Sequence, residues 1–391
     1  MSGAPLAGLK VVEFTHMVMG PAVGHVLASL GAEVTRVEPI GGDRTRRLLG
    51  SGAGYFPMYN RHKASVCIDL KHPEGAEVAR LLADSADILI ENYRPGAMDR
   101  LGLGYDALAE RNPRLIYCSE KGFLPGPYEN RTALDEVAQM MAGLAYMTGP
   151  PGRPLRAGAS VIDVTGGLFG VIAILSALEE RHRTGRGQHV QSSLFETTVY
   201  LVGQHMAQLA VTGKAADPMP ARVSAWAIYD VFETADESHI FIGVVTDSLW
   251  EKFCSLFELN ELWADQSLRE NNARVLARER LLPQIRGVVG RFKRDALIEM
   301  LDGSGLPFAP IGRPEDLFDD PHLAASGGLE PTVLPNGAQT SLPTLPVSMA
   351  GRRLHERATL PASGADTDAC LAALGLAKER IDLLRRDGAI S

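Results

Sequence analysis

Asp163 is the only charged side chain in the apolar run GASVIDVTGGLFGVIAIL, and it stands where a helical pattern begins. An Asp in that position commonly caps the helix, accepting hydrogen bonds from its first free N–H groups. Those groups and the helix dipole also favour the anionic carboxylate, and an ionised carboxylate is a nucleophile. Cap and catalyst are both open on spacing alone. Gly166 and Gly167 would let a substrate approach the backbone closely. Lys71, Arg94 and Arg100 lie just past the third and fourth strand patterns, the edge where open α/β sheets bind ligands. They could hold phosphates, with Arg giving bidentate contacts, or be ordinary solvated charge. Arg44, Arg46 and Arg47 form a basic cluster after GGD. It suits a carboxylate or a phosphate, and equally a solvated loop. His16 follows the first strand pattern and is either a general base or structural.

Other chemistries have no signature. There is no HExxH or similar metal spacing, no GxSxG elbow and no Walker A loop, so no metal site is expected. The first strand-to-helix turn, Thr15 to Pro21, is not GxGxxG, and Glu38 alone is weak support for a dinucleotide.

The elements that must position these residues alternate regularly. LKVVEF (9–14), EVTRVE (33–38), SVCIDL (65–70), ADILIEN (86–92), LIYCS (115–119) and 189–192 read as strands. Single helices separate them, one opened by Pro73, which predicts a doubly wound parallel sheet. A helix over 135–147 closes at Gly149–Gly152, and a long one follows Asp163. Gly213–Arg222 reads as a linker into a small α+β unit. That unit opens with a hairpin turning near Asp236 and Glu237 and continues with helices at 247–257, 276–288 and 294–302. The division expected is 1–212 for the large α/β domain and 222–320 for the small one. From Leu306 to Leu360 the chain is loop-rich, with many Pro and Gly, and residues 321–391 form a return segment and two closing helices that complete the large domain.

Composition fits this picture. A chain of 391 residues is too long for one small core. Apolar residues at 45% and charged residues at 22% exclude wholesale disorder. A net charge of −8 lacks the basic footprint of a nucleic-acid binder. The four cysteines, Cys67, Cys118, Cys254 and Cys370, form no CxxC pair, as expected in a reducing compartment. Met1–Gly8 is too short for an export signal, and Val164–Leu178 falls short of the ~20 residues of a membrane span. We read that stretch as a buried core helix, and the protein as soluble and cytoplasmic.

Several segments taken in order resemble the class III CoA-transferases, the group with formyl-CoA transferase, carnitine CoA-transferase and the 2-methylacyl-CoA racemases. They are LAGLKVVEFTHMVMGPAVGHVLASLGAEVTRVEP, YFPMYNRHKASVCIDLKHPEG, ILIENYRPGAMDRLGLGYDAL, GASVIDVTGGLFG, RTGRGQHVQSSLFE and the C-terminal LAALGLAKERIDLLRRDGAI. The resemblance covers nearly the whole chain. It implies that Asp163 is the nucleophile, which shifts the balance from cap to catalyst. It also implies CoA contacts at Val18, Met19, Ile68, Lys71, Asn92, Tyr93, Arg94 and Arg100. The CoA thioester is then a substrate, with no permanently bound cofactor. An interlocked homodimer is implied too, in which a long segment such as Leu306–Leu360 threads the partner's ring.

Departures from the family pattern narrow the reading. Formyl-CoA:oxalate enzymes carry Gln at the place of Val18, Trp near Leu48 and Tyr at Leu134. They also carry a glycine-rich loop in the small domain, whereas residues 221–245 hold only Gly243. Oxalate therefore fits poorly, while the Arg44–Arg47 cluster permits another dicarboxylate. Racemases carry His before the Asp matching Asp135, and here that residue is Leu134, so one of two bases is missing. The expectation is CoA transfer from an acyl-CoA to a free carboxylic acid through aspartyl intermediates, with backbone N–H groups near Gly166 stabilising the oxyanion. The rivals are a 2-methylacyl-CoA racemase and a non-catalytic acyl-CoA-binding protein.

Overall fold

A computed structural model describes residues 4–222, 224–354 and 360–391. Parts of Met1–Gly8 and of Leu306–Leu360 thus lie outside the described residues. The chain divides into two compact units, Met1–Pro220 with Pro321–Ser391, and Ala221–Asp320.

The first unit is built on six parallel strands: β1 (Lys10–Phe14), β2 (Glu33–Glu38), β3 (Lys63–Cys67), β4 (Ile88–Glu91), β5 (Ile116–Lys121) and β6 (His189–Ser193), in the order β3-β2-β1-β4-β5-β6. The strands are near-continuous apolar runs because helices cover both faces. On one face Val12, Phe14, Leu89 and Tyr117 pack against Val78 and Leu82 of the Pro73–Asp84 helix and Leu371 and Ile381 of the C-terminal helices. On the other, Val11, Ile88, Ile90, Ile116 and Cys118 meet the helices Met19–Ser29 and Val161–Thr184. Those two helices touch through Gly167, where an added Cβ would lie 2.9 Å from the Met19 carbonyl oxygen.

The third strand starts two residues earlier than its apolar pattern, at a lysine. Lys63 is buried, and its Nζ donates to both Glu13 oxygens (2.8 and 3.0 Å) and to the Pro21 carbonyl (2.8 Å). Arg36 joins Glu13 (3.0 Å) to Asp43 (2.8 Å) in the same network. Burial pushes Lys63 down to about 8. The helix expected over 135–147 is two pieces, Asp135–Met141 and Leu144–Thr148, because Gly143 adopts φ 89° between them.

Val161–Thr184 is 24 residues long, apolar enough to cross a membrane by length and composition. Only one of its faces meets the expectation of a buried core helix. Leu168, Ile172 and Leu175 are exposed on the other.

The second unit has an antiparallel sheet of β7 (Ile228–Glu233), β8 (His239–Val244) and β9 (Phe308–Pro310), with Trp250, Phe253, Leu281 and Leu297 in its core. Glu237 takes φ 58° in the hairpin turn. The return segment is more ordered than its Pro and Gly content suggests. Besides β9 it forms the hairpin β10 (Leu329–Val333) and β11 (Gln339–Pro343). This hairpin is tied to the large sheet by buried Arg61, which donates to Glu330 (2.6 Å) and to the Pro343 carbonyl (2.8 Å).

Removing one partner of a buried ion pair leaves the other charge stranded. Glu330→Ala is therefore expected to destabilise the protein by about 3 kcal/mol, measured by denaturant unfolding. An unchanged midpoint would show that Arg61 does not need this partner.

Candidate active site

In the order β3-β2-β1-β4-β5-β6, crossovers reverse direction between β1 and β4, and an open sheet of this type forms a ligand crevice at that point. Phe14 and Glu91 are register partners at its rim. Asn92, the residue after β4, spans the crevice: its Oδ1 accepts from the His16 N–H (3.0 Å), and its Nδ2 donates to the His16 carbonyl (2.8 Å). The turn between them holds Met17 at φ 61°, a conformation uncommon for a side-chain-bearing residue. A cavity of about 240 Å³ opens here, and His16, Met19, Tyr55, Asn92, Leu134 and Asp163 line it.

Asp163 is not a helix cap. The helix starts at Val161, its N-cap Ser160 makes no side-chain cap bond, and Asp163 is the third helical residue. The cap comes from a distant residue. Asp135 Oδ2 accepts from the N–H groups of Ile162 (2.8 Å) and Asp163 (3.1 Å). Gln139, one turn along the Asp135 helix, donates through Nε2 to Asp135 Oδ1 and accepts through Oε1 from the Ala157 N–H (2.9 Å). One side chain thus locks the capping carboxylate to the segment leading into the Asp163 helix.

With its local amides taken by Asp135, the Asp163 carboxylate gains little from the helix N-terminus. Burial, reinforced by the Asp135 and Glu136 carboxylates and opposed by Arg156, pushes its pKa up to about 7. Expectation from the helix dipole ran the other way. Tyr59 lies within the same field: burial and then the Asp163 charge raise its pKa. Gly166 is the sixth residue of the helix, past the four N–H groups that a helix leaves free. The N–H groups near it are committed within the helix and are not the oxyanion donors expected.

The other sequence-derived residues divide clearly. Met19 and Asn92 share the cavity with Asp163. Val18 and Ile68 are each 1% exposed, so any ligand contact from them would be through the main chain. Tyr93 is half-buried beside His16, with ring centroids 5.8 Å apart. Lys71 and Arg100 are exposed and line neither this cavity nor the next. Arg94 lines a separate cavity at the ends of β4 and β5, with Tyr105, Tyr117 and His189. In the basic cluster, Arg46 pairs with Glu38 (2.6 Å) and covers the Phe56 ring, and Arg47 donates to the Gly41 carbonyl (2.9 Å). Arg44 alone is left exposed without such a tie. Asp135, Gln139, Tyr55 and Tyr59 had no assigned role from sequence. The Asp-x-x-x-Gln spacing of the first two was the available signal, because i,i+4 residues meet on a helix.

The raised Asp163 pKa fixes a sign for stability. An unfolded Asp titrates near ~3.9, so between about pH 4 and 7 the folded protein holds the proton more tightly and loses stability as pH rises. Asp163→Asn should therefore melt higher than the wild type at pH 8, by roughly 2 °C or more, and the two should converge near pH 4. Melting curves that show the variant less stable at pH 8 would contradict this environment.

Comparison with known proteins agrees with the geometry. The sequence pattern of CoA-transferase family III matches residues 6–367. The chain is 31% identical over 373 residues to a succinyl-CoA:glutarate CoA-transferase of Mus musculus, covering 93% of this chain and 85% of that protein. It is 33% identical over 365 residues to an acetyl-CoA:oxalate CoA-transferase of Acetobacter aceti, covering 91% and 92%. A crystal structure of a CAIB/BAIF family protein from Brucella suis superposes with a TM-score of 0.83 at 35% identity, over 95% of this chain and 100% of that one. Between a switch-point cavity holding Asp163 and a match across nearly the whole sequence, the assignment is direct: this chain belongs to CoA-transferase family III, enzymes whose substrates are CoA thioesters.

Proposed function

We propose that this enzyme moves CoA from an acyl-CoA to a free dicarboxylic acid through covalent intermediates on Asp163. The observation that carries the reading is Asp163 itself, a carboxylate in the switch-point cavity whose amides are capped by another residue and whose own oxygens are left for chemistry. Its carboxylate attacks the thioester carbonyl, forming an aspartyl–acyl anhydride and expelling CoA thiolate. The thiolate attacks the aspartyl carbonyl, releasing the donor acid and leaving an aspartyl CoA thioester. The acceptor carboxylate then attacks that carbonyl, and the expelled thiolate takes the acceptor acyl group from the new anhydride. Each step trades one activated acyl bond for another, so excluding water preserves the thioester energy.

The dicarboxylate preference is supported by relatives named for dicarboxylic acids, glutarate and oxalate among them. Within the family the acceptor varies, and Val18 and Leu134, where formyl-CoA:oxalate enzymes carry Gln and Tyr, favour a longer acid than oxalate. Leu134 lines the cavity and carries no proton, so racemisation lacks a second base. CoA would enter past Met19, Asn92 and Tyr93, with its phosphates toward Lys71, Arg94 and Arg100 and its chain against the backbone of Val18 and Ile68. A second copy of the chain is the proposed cover for Leu168, Ile172 and Leu175, and for Tyr200, Met206 and Leu209, all exposed. An interlocked homodimer provides such a cover. The four free cysteines are compatible with a cytoplasmic setting.

Two measurements check this reading. Asp163→Asn should lower the transfer rate by several orders of magnitude, since an amide is a poor nucleophile. In the wild type, kcat/KM for the donor should rise with pH and level off above about 7, where Asp163 is ionised. Near-wild-type transfer by the variant, or a donor-side profile flat from pH 5 to 9, would remove Asp163 from the nucleophile's role. For the cofactor path, Arg100→Ala and Lys71→Ala should each weaken CoA binding by about 1.5–3 kcal/mol, the range for charged hydrogen bonds. Unchanged affinity in calorimetry would exclude them.

A further inference from the structure

The basic cluster singled out for a dicarboxylate is largely engaged elsewhere, with Arg46 on Glu38 and Arg47 on Gly41. A different arginine has the required placement. Arg156 lies on the segment that leads into the Asp163 helix, and that segment is held by the Ala157 N–H to Gln139 hydrogen bond (2.9 Å). Its Nε donates to the Ala157 carbonyl (3.0 Å), which orients the guanidinium. One terminal nitrogen pairs with Glu136. Glu136 in turn lines the cavity that holds Asp163, so the protein already presents a carboxylate to Arg156 at the edge of the reaction site. The pair is partly solvated, with side-chain exposures of 35% and 46%. An exposed pair of this kind is worth little and exchanges readily.

We propose that Arg156 determines acceptor specificity: the far carboxylate of a dicarboxylic acid displaces Glu136 and takes its place on Arg156, while the near carboxylate lies in the Asp163 cavity. This rests on the transferase reading above and names the group that selects its acceptor. A fork of parallel N–H donors suits a carboxylate better than a lysine would. A monocarboxylic acid of the same length offers nothing to exchange with Glu136, and it leaves an apolar end beside two charges. Oxalate, whose carboxylates share one bond, has the least reach between the two positions.

The test is the ratio of acceptor kcat/KM for glutarate against pentanoate. In a reaction with a covalent half-way enzyme, acceptor kcat/KM is independent of the donor, so the donor's own carboxylate does not enter. Wild type should prefer glutarate. Arg156→Gln should lower the glutarate-to-pentanoate ratio at least tenfold; any effect on Asp163 ionisation is common to both acids and cancels. Glu136→Gln, which leaves Arg156 in place and removes its competitor, should raise the ratio. Transfer to both acids with the ratio unchanged in Arg156→Gln overturns this inference alone, as does a wild type without preference. Failure of the wild type to transfer CoA to any carboxylate overturns the underlying reading and this inference with it.

Discussion

The site is organised around one hydrogen-bonding choice, the capping of the Asp163 helix by Asp135 rather than by a residue of its own. Two amides at the start of Val161–Thr184 point at Asp135 Oδ2. This leaves the Asp163 carboxylate without local donors in a partly buried cavity. The consequence is electrostatic as well as geometric. A carboxylate removed from water and near another carboxylate resists ionisation, which pushes the Asp163 pKa up to about 7. Gln139 extends the control by joining Asp135 to the strand of chain that carries Arg156. Asp163, its capping residue and the approach segment are therefore one connected assembly, and displacing any member disturbs the others.

The scaffold around this assembly repeats the same principle on a larger scale. Charged groups are buried where they fix the ends of parallel strands. Lys63 and Arg36 converge on Glu13 under the first strand-to-helix turn, and Asn92 closes that turn against the next strand across the switch point. Loop residues in a sheet crevice are ordinarily mobile. Here the groups that shape the crevice are held from below by ion pairs and from across by two hydrogen bonds. The glycine contact at Gly167 sets how closely the Asp163 helix can approach the Met19–Ser29 helix.

Much of the large sheet was legible because its strands are short apolar runs bounded by Gly and Pro, and Pro73 opens a helix as its position implies. The elements misread share a physical cause, which is dependence on partners distant in sequence. Lys63 falls outside the apolar run 65–70, and only Glu13, fifty positions away, lets its charge sit inside the strand. Asp163 reads as a cap because nothing local shows that Asp135 already occupies the amides. The return segment reads as loop because Glu330 reveals its purpose only against buried Arg61. Family resemblance pointed to Asp163 and to the strand-end residues, of which Met19 and Asn92 share its cavity. It did not reveal that Arg46 is committed to Glu38 or that burial, reinforced by Asp135, raises the Asp163 pKa, since both follow from three-dimensional contacts.

The central claim is that Asp163 exchanges an oxygen atom with its substrates in every cycle. Attack by the acceptor places an acceptor oxygen in the anhydride bridge, and that oxygen stays on Asp163 when the thiolate removes the acyl group. Turnover with an acceptor carrying ¹⁸O in both oxygens of each carboxylate tests this directly. Mass spectrometry of the digested enzyme should then find one ¹⁸O on the peptide containing Asp163 after a single turnover, and one or two after many. The donor acid released in following turnovers should become labelled as well, with at most one ¹⁸O per molecule. Catalytic transfer that leaves both the peptide and the donor acid unlabelled would contradict a covalent role for Asp163.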